Sequence, residues 1–177
     1  MRKVLDLMDA QSADVVLDVG CGPGVQLIHL SRRIKAGFGI DPAEGMIAQA
    51  EQSAAECPNV RFYVGTAEAL PQELNGAGIH KIFSNYALHH LPDAAKSGCI
   101  RNFGSLLPEG GAVVLGDLMF SDDPAKHEAL FDFVGYGPGC DTPSRLPALE
   151  GMFMEAGLLF QTHVLNPLAA VIVGRKA

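Results

Sequence analysis

An α/β fold, with a mainly parallel sheet and helices on both faces, is predicted from three observations. Short apolar runs rich in β-branched residues alternate with stretches of helical spacing. The first such run ends in a glycine-rich turn, Gly20-Cys21-Gly22-Pro23-Gly24, at the point where a helical pattern opens. Near the C-terminus, Leu158 to Leu165 and Leu168 to Val173 are two apolar runs joined by Asn166-Pro167, too close to hold a crossover helix. They are expected to pair as an antiparallel hairpin.

The elements follow in order. Val15-Val16-Leu17-Asp18-Val19 is a short buried strand by pattern. Val25 to Ile34 is expected to be a helix, with Val25, Ile28, Leu30 and Ile34 on one side. Arg32, Arg33 and Lys35 stand at its C-terminal end, where cations suit the helix dipole. Phe38-Gly39-Ile40 is a second strand, Ala43 to Ala55 an alanine-rich helix, and Val60 to Val64 a third strand. Ile79 to Ser84 is a fourth strand, interrupted by His80 and Lys81. From Pro92 to Leu107 the chain reads as a helix ending before Pro108-Glu109-Gly110-Gly111, and Ala112 to Leu115 is a fifth strand.

At 177 residues, with 48% hydrophobic and 19% charged residues, the chain suits a single domain over 1–177 with a short N-terminal segment. No internal repeat or linker divides it. Its net charge of −7 and lack of a basic run argue against a phosphate-backbone binder and for a small-molecule partner. Cys21, Cys57, Cys99 and Cys140 are far apart and form no CxxC pair, so they read as reduced thiols. No signal-peptide core stands at the N-terminus, and no apolar run reaches the ~18 residues of a membrane span. A cytoplasmic domain without membrane contact is expected.

The turn after the first strand lies at the carboxyl edge of such a sheet, where open α/β folds bind ligands. Gly20, Gly22 and Gly24 allow a sharp turn and a close backbone approach. Asp18 precedes the turn. Asp41 follows the second strand, where a carboxylate can accept both hydroxyls of a ribose. Asp41-Pro42 also reads as a helix N-cap followed by proline at the first helical position, and both roles are compatible. Val25 stands where a dinucleotide fingerprint wants a third glycine, which disfavours a nucleotide-dependent oxidoreductase.

VLDVGCGPG resembles motif I of the class I S-adenosylmethionine (AdoMet)-dependent methyltransferases, and GIDPAEGMI resembles their second motif. FYVGTAEALP, NYALHHLPD and LLPEGGAVVLGD are similar to the later motifs, in the family's order, across residues 13–118. The terminal hairpin resembles the family's closing strands. The nearest likeness is to generic type 11 domains related to the quinone-biosynthesis methyltransferases. GDLMFSDD and ALEGMFMEAGL are similar to a little-characterised bacterial branch of that group. The resemblance implies a Rossmann-like, seven-stranded, doubly wound sheet in the order 3-2-1-4-5-7-6, its last strand antiparallel.

It also implies AdoMet as cofactor. Asp18 and Gly20 would approach the methionine moiety, with the Gly22 and Gly24 backbone alongside. Asp41 would bind the ribose beside Pro42, and Met46 or Ile40 would pack the adenine. The Thr66-Ala67-Glu68 turn would meet the adenine edge, and backbone around Asn85 would lie near the sulfonium. Relatives usually carry aspartate where Thr66 stands, so Thr66 through its hydroxyl, or Glu68, would accept from the adenine amino group. Relatives often place a Phe-Asp pair where Ile79-His80-Lys81 stands.

Methyl transfer from a sulfonium chiefly requires alignment, so no catalytic residue need be legible. His89 and His90, just past the fourth strand, are the candidates for a base. Asp117, His127 and His163 are expected to be surface or structural. No metal site is expected, because the two histidines are adjacent and no carboxylate or cysteine stands at ligand spacing around them. Ser84-Asn85-Tyr86-Ala87 replaces the Asn/Asp-Pro-Pro-Tyr signature of amino-directed nucleic-acid methyltransferases, which weighs against a nucleic-acid substrate.

The acceptor pocket is expected between the N-terminal segment, the loop after the fourth strand, and Phe120 to Pro147. Phe131, Phe133, Gly135, Tyr136, Gly137 and Gly139 read either as an apolar lid or as a helix ending in a glycine loop. With a short N-terminus, the site is open, completed by a second copy in a homodimer, or closed only around a bulky acceptor. The leading expectation is a small-molecule methyltransferase working by direct in-line transfer. The alternative is a non-catalytic AdoMet-binding module or partner subunit.

Overall fold

The computed structural model describes residues 2–127, 129–130 and 141–177. The aromatic and glycine-rich stretch 131–139 expected at the acceptor pocket therefore lies outside the described residues. Among the described residues there are eight strands: β1 (Val15–Val19), β2 (Ala36–Asp41), β3 (Val60–Val64), β4 (Lys81–Asn85), β5 (Ala112–Phe120), β6 (Ser144–Arg145), β7 (Leu158–Asn166) and β8 (Ala169–Lys176). They run in the order β3-β2-β1-β4-β5-β8-β7, with β6 paired to the end of β5. β1 to β5 are parallel, and β8 is antiparallel to both β5 and β7. With the two-residue β6 set aside, this is the expected seven-strand order.

Alternation along the strands divides two apolar layers. Val15, Leu17, Val19, Ile82, Val113 and Leu115 face α4 (Asp93–Leu106) and α5 (Leu146–Glu155). Val16, Phe83, Val114, Val171 and Val173 face α1 (Arg2–Met8), α2 (Val25–Leu30) and α3 (Glu44–Ser53). Both faces of the central strands are thus buried, as a parallel sheet with crossover helices requires. Among the described residues, no helix is long and apolar enough to cross a membrane.

Three local departures have physical causes. The helix expected to reach Ile34 stops at Leu30 and tightens into a 3-10 turn over Ser31–Arg33. The Ser31 hydroxyl donates to the Ile28 carbonyl at 2.7 Å, and the Asn59 amide takes the carbonyls of Ser31 (2.8 Å) and Ile34 (3.1 Å). Val25, at the start of the helical spacing, is exposed. At β4, His80 does not break the strand pattern so much as finish it. Its amide donates to the Val15 carbonyl (2.9 Å), and its Nδ1 accepts from the Val15 amide (3.2 Å). Finally, β5 runs to Phe120 rather than Leu115, because β8 pairs along it through Leu118 and β6 pairs with Met119 and Phe120.

Candidate functional site

The carboxyl ends of β1, β2, β3 and β4 open onto one cavity of about 490 Å³. That volume falls within the range of roughly 300–1,000 Å³ typical of small-molecule sites. The sequence-derived candidates Gly20, Gly22, Asp41, Pro42, Met46, Thr66, Ala67, Glu68 and His90 all line it. So do Tyr86, Ala87, Leu88 and Leu91, from the NYALHHLPD segment, which were given no individual role from the sequence.

The glycine turn is tied to β2: the Gly20 and Cys21 amides both donate to the Ile40 carbonyl at 2.9 Å. Its glycines do different jobs. A Cβ on Gly20 would stand 2.3 Å from the Ala87 Cβ, so its absence lets the turn close on the loop after β4. Gly24, at the N-terminus of α2, makes room for the Phe62 ring in the same way. Only Gly22 of the three has open space where its Cβ would point. Gly22 thus offers open space on the cavity side, while Gly20 and Gly24 also make room for neighbouring side chains.

Asp41 clamps two segments. One oxygen accepts from the Gly22 amide and the other from the Ala43 amide, both at 2.9 Å. Each oxygen keeps a further lone pair for a ligand hydroxyl. Asp18 sits one residue behind the cavity wall, buried, and its Oδ2 has no hydrogen-bond partner among the described residues. Burial first, and the charge of Asp41 second, push the Asp18 carboxyl well above the ordinary carboxylate range. Burial, with Asp18 and Asp41 adding to it, also pushes the Cys21 thiol up, so it stays protonated and is a poor nucleophile. The Thr66 hydroxyl accepts from the Ala69 amide at 3.1 Å, which shapes the turn at the cavity wall.

Asn85 is placed elsewhere. It lines a much smaller cavity with Lys3, Val4, Gly116 and Asp117, behind Tyr86, which borders both cavities. Tyr86 holds a positive φ of 55°, a conformation costly for a bulky residue, beside the ligand cavity. The N-terminal segment, expected to wall the acceptor pocket, packs against the sheet instead: Val4 and Met8 are buried, and no residue of α1 lines the main cavity.

The two histidines separate in role. His90 is well exposed at the cavity wall, whereas His89 is buried behind it. His89 Nδ1 lies 2.5 Å from Asp117 Oδ1, and the His89 amide donates to Asp117 Oδ2 at 3.1 Å. Asp117 also accepts from the Leu118 amide at 2.8 Å, so this carboxylate is buried and fixed rather than a surface group. Asp141 Oδ1 lies 3.4 Å from His89 Nε2 and 3.1 Å from His90 Nδ1. The expectation that no carboxylate stands near the histidines is therefore corrected. Sequence spacing could not find Asp141, which arrives from the far side of α4. Thr142 docks it, its amide donating to the His89 carbonyl at 2.6 Å. Next to it, buried Lys96 donates to the Thr142 carbonyl (2.5 Å) and the Ser144 hydroxyl (2.7 Å), holding the same segment to α4.

The sequence model of a family described as "Methyltransferase domain" matches residues 16–111. An uncharacterized methyltransferase of Geobacillus thermodenitrificans is 32% identical over 128 residues, covering 72% of this chain and 58% of that protein. The chain thus spans little more than half the length of such relatives. The crystal structure of YcgJ from Bacillus subtilis superposes with a TM-score of 0.82 at 22% identity, covering 99% of each chain. A geranyl diphosphate methyltransferase in complex with SAM superposes with a TM-score of 0.80 at 14% identity, covering 99% of this chain and 84% of that one.

Proposed function

The chain belongs to the methyltransferase domain family, and from that membership we propose that it transfers the methyl group of AdoMet, in line, to a small-molecule acceptor. The observation that carries this reading is the cavity bounded by the glycine turn, Asp41 and the Thr66–Glu68 turn, with the partnerless Asp18 oxygen behind it. A buried carboxylate oxygen lacking a donor, beside a second carboxylate, suits a cationic ligand group such as the ammonium of AdoMet.

When bound, AdoMet supplies a methyl group on a positively charged sulfur. Asp18 then offers Oδ2 to the ammonium, and Asp41 offers its remaining lone pairs to the ribose hydroxyls. Met46 and Ala67 give the adenine an apolar wall, and Thr66 and Glu68 stand at its polar edge. Across the cavity, Tyr86, Leu88, His90 and Leu91 leave a mostly apolar space for the acceptor, with one imidazole in its wall. The net charge of −7 favours a small neutral or cationic acceptor over a nucleic acid.

Calorimetric titration with AdoMet, S-adenosylhomocysteine and NAD tests the cofactor. Labelled methyl transfer to a panel of phenols, thiols, amines and carboxylic acids tests the reaction. AdoMet and its product are expected to bind, with turnover on at least one acceptor class. NAD binding without AdoMet binding overturns the proposal. AdoMet binding with no turnover on any acceptor supports a binding module instead.

A further inference from the structure

We propose that His89, His90 and Asp141 form a binding site for a divalent transition-metal ion of the zinc class, at the acceptor side of the cavity. Each residue offers one ligand atom, and the three atoms lie within 4.8 Å of one another. A tetrahedral ion with bonds of about 2.0–2.2 Å holds neighbouring ligand atoms about 3.3–3.6 Å apart. The separations of Asp141 Oδ1 from His89 Nε2 (3.4 Å) and from His90 Nδ1 (3.1 Å) are close to that spacing.

The surroundings supply the independent support. A metal-binding histidine characteristically donates its other ring N–H to a carboxylate, which fixes the ring and its tautomer. His89 does this with Asp117: Nδ1 stands 2.5 Å from a carboxylate oxygen that is itself held by backbone amides. With its Nδ1 turned to Asp117, His89 places Nε2 on the side of Asp141, 3.4 Å from Oδ1. The third ligand is anchored equally well. Thr142 bonds to the loop of His89, while Lys96 bonds to Thr142 and Ser144, so Asp141 is held through the segment that follows it. Two imidazole nitrogens and one carboxylate suit zinc, manganese, iron or cobalt better than magnesium or calcium, which prefer all-oxygen shells.

Three protein ligands leave at least one coordination position, and His90 is part of the cavity wall. Resting on the methyltransferase reading, the ion would hold an oxygen or sulfur donor of the acceptor in the space opposite the cofactor. The acceptor class is then an alcohol, phenol or thiol, and the ion is a positioning element for it.

The test is titration of zinc chloride into chelator-treated, tag-free protein, with magnesium chloride as the hard-cation control and AdoMet titrated separately. One zinc per chain at micromolar affinity or tighter is expected, with magnesium much weaker. His90→Ala, a change at an exposed side chain that should leave folding intact, and Asp141→Asn should each weaken zinc by about 100-fold or more. Asp117→Asn should weaken it about 10–100-fold through His89. AdoMet affinity of Asp141→Asn should stay within a factor of about three. Absence of stoichiometric zinc binding, or equal zinc affinity in His90→Ala and wild type, overturns the proposal. Zinc binding without AdoMet binding leaves the metal site standing and removes the methyltransferase reading instead.

Discussion

Replacing Asp41 by asparagine separates its two roles, as clip and as ligand. The carboxylate now accepts one amide bond on each oxygen, from Gly22 and from Ala43, both 2.9 Å long. Asparagine has a single acceptor oxygen, and its NH2 group must face one of those amides, donor against donor. Leaving one amide without its acceptor costs about 1–3 kcal/mol. For a chain of this length that corresponds to a fall in Tm of about 2–12 °C. The ligand role is lost in a separate measurement. Charge-assisted hydrogen bonds from a ribose diol contribute about 1.5–3 kcal/mol, so AdoMet should bind Asp41→Asn about 10- to 150-fold more weakly. Differential scanning fluorimetry reads the first effect and isothermal titration the second. A lowered Tm with AdoMet affinity within threefold of wild type would refute the ribose role and leave Asp41 as a clip between the glycine turn and α3.

Asp18→Asn should make the unliganded protein more stable and the cofactor site worse. Because the folded-state carboxyl titrates above its unfolded value, wild-type stability from this group is present at low pH and lost as pH rises through the raised pKa. The gain of Asp18→Asn over wild type in urea melts should therefore be larger at pH 8 than at pH 5; an equal gain at both would contradict it. Gly20→Ala forces a Cβ into a residue at φ 75° and to within 2.3 Å of the Ala87 Cβ. The left-handed strain and overpacking together cost about 2–5 kcal/mol, a Tm drop of about 4–20 °C, and a drop under 2 °C would show that the two loops part easily. Lys96→Met removes the ammonium donor to the Thr142 carbonyl and the Ser144 hydroxyl. A loss of about 1–3 kcal/mol in chemical denaturation is expected, and unchanged stability would mean that water replaces those bonds without cost.

What the sequence revealed and what it hid divide along the distance over which each feature is encoded. The strand runs, the glycine turn and Asp41 are local patterns, each set within a few residues, and the sheet order followed from them together with the family resemblance. The end of α2 was misjudged because the Asn59 side chain, from the approach to β3, captures the carbonyls that would have continued the helix. Asp117 was read as surface or structural; it is structural, and its burial comes with β8, paired with Asp117 through Ala170. Asp141 was invisible for a stronger reason. It meets the histidines where Thr142 bonds to His89, 53 residues away, and no periodicity records such a meeting. Gly20 and Gly24 were recognised as necessary for ligand approach; the Ala87 and Phe62 side chains that occupy their missing Cβ positions add a packing reason that no local pattern shows.

Because β8 lies between β5 and β7, the sheet is closed by a strand that follows the other described strands in the chain. During translation, β5 carries an unpaired edge over Ala112–Leu118, a run of apolar residues that could recruit a strand from a neighbouring nascent chain. β7 is already made but has no seat until residues 169–176 leave the ribosome and pass between them. Lys176 then donates to the Gly104 and Leu107 carbonyls at the end of α4, locking the inserted strand to a helix completed some seventy residues earlier.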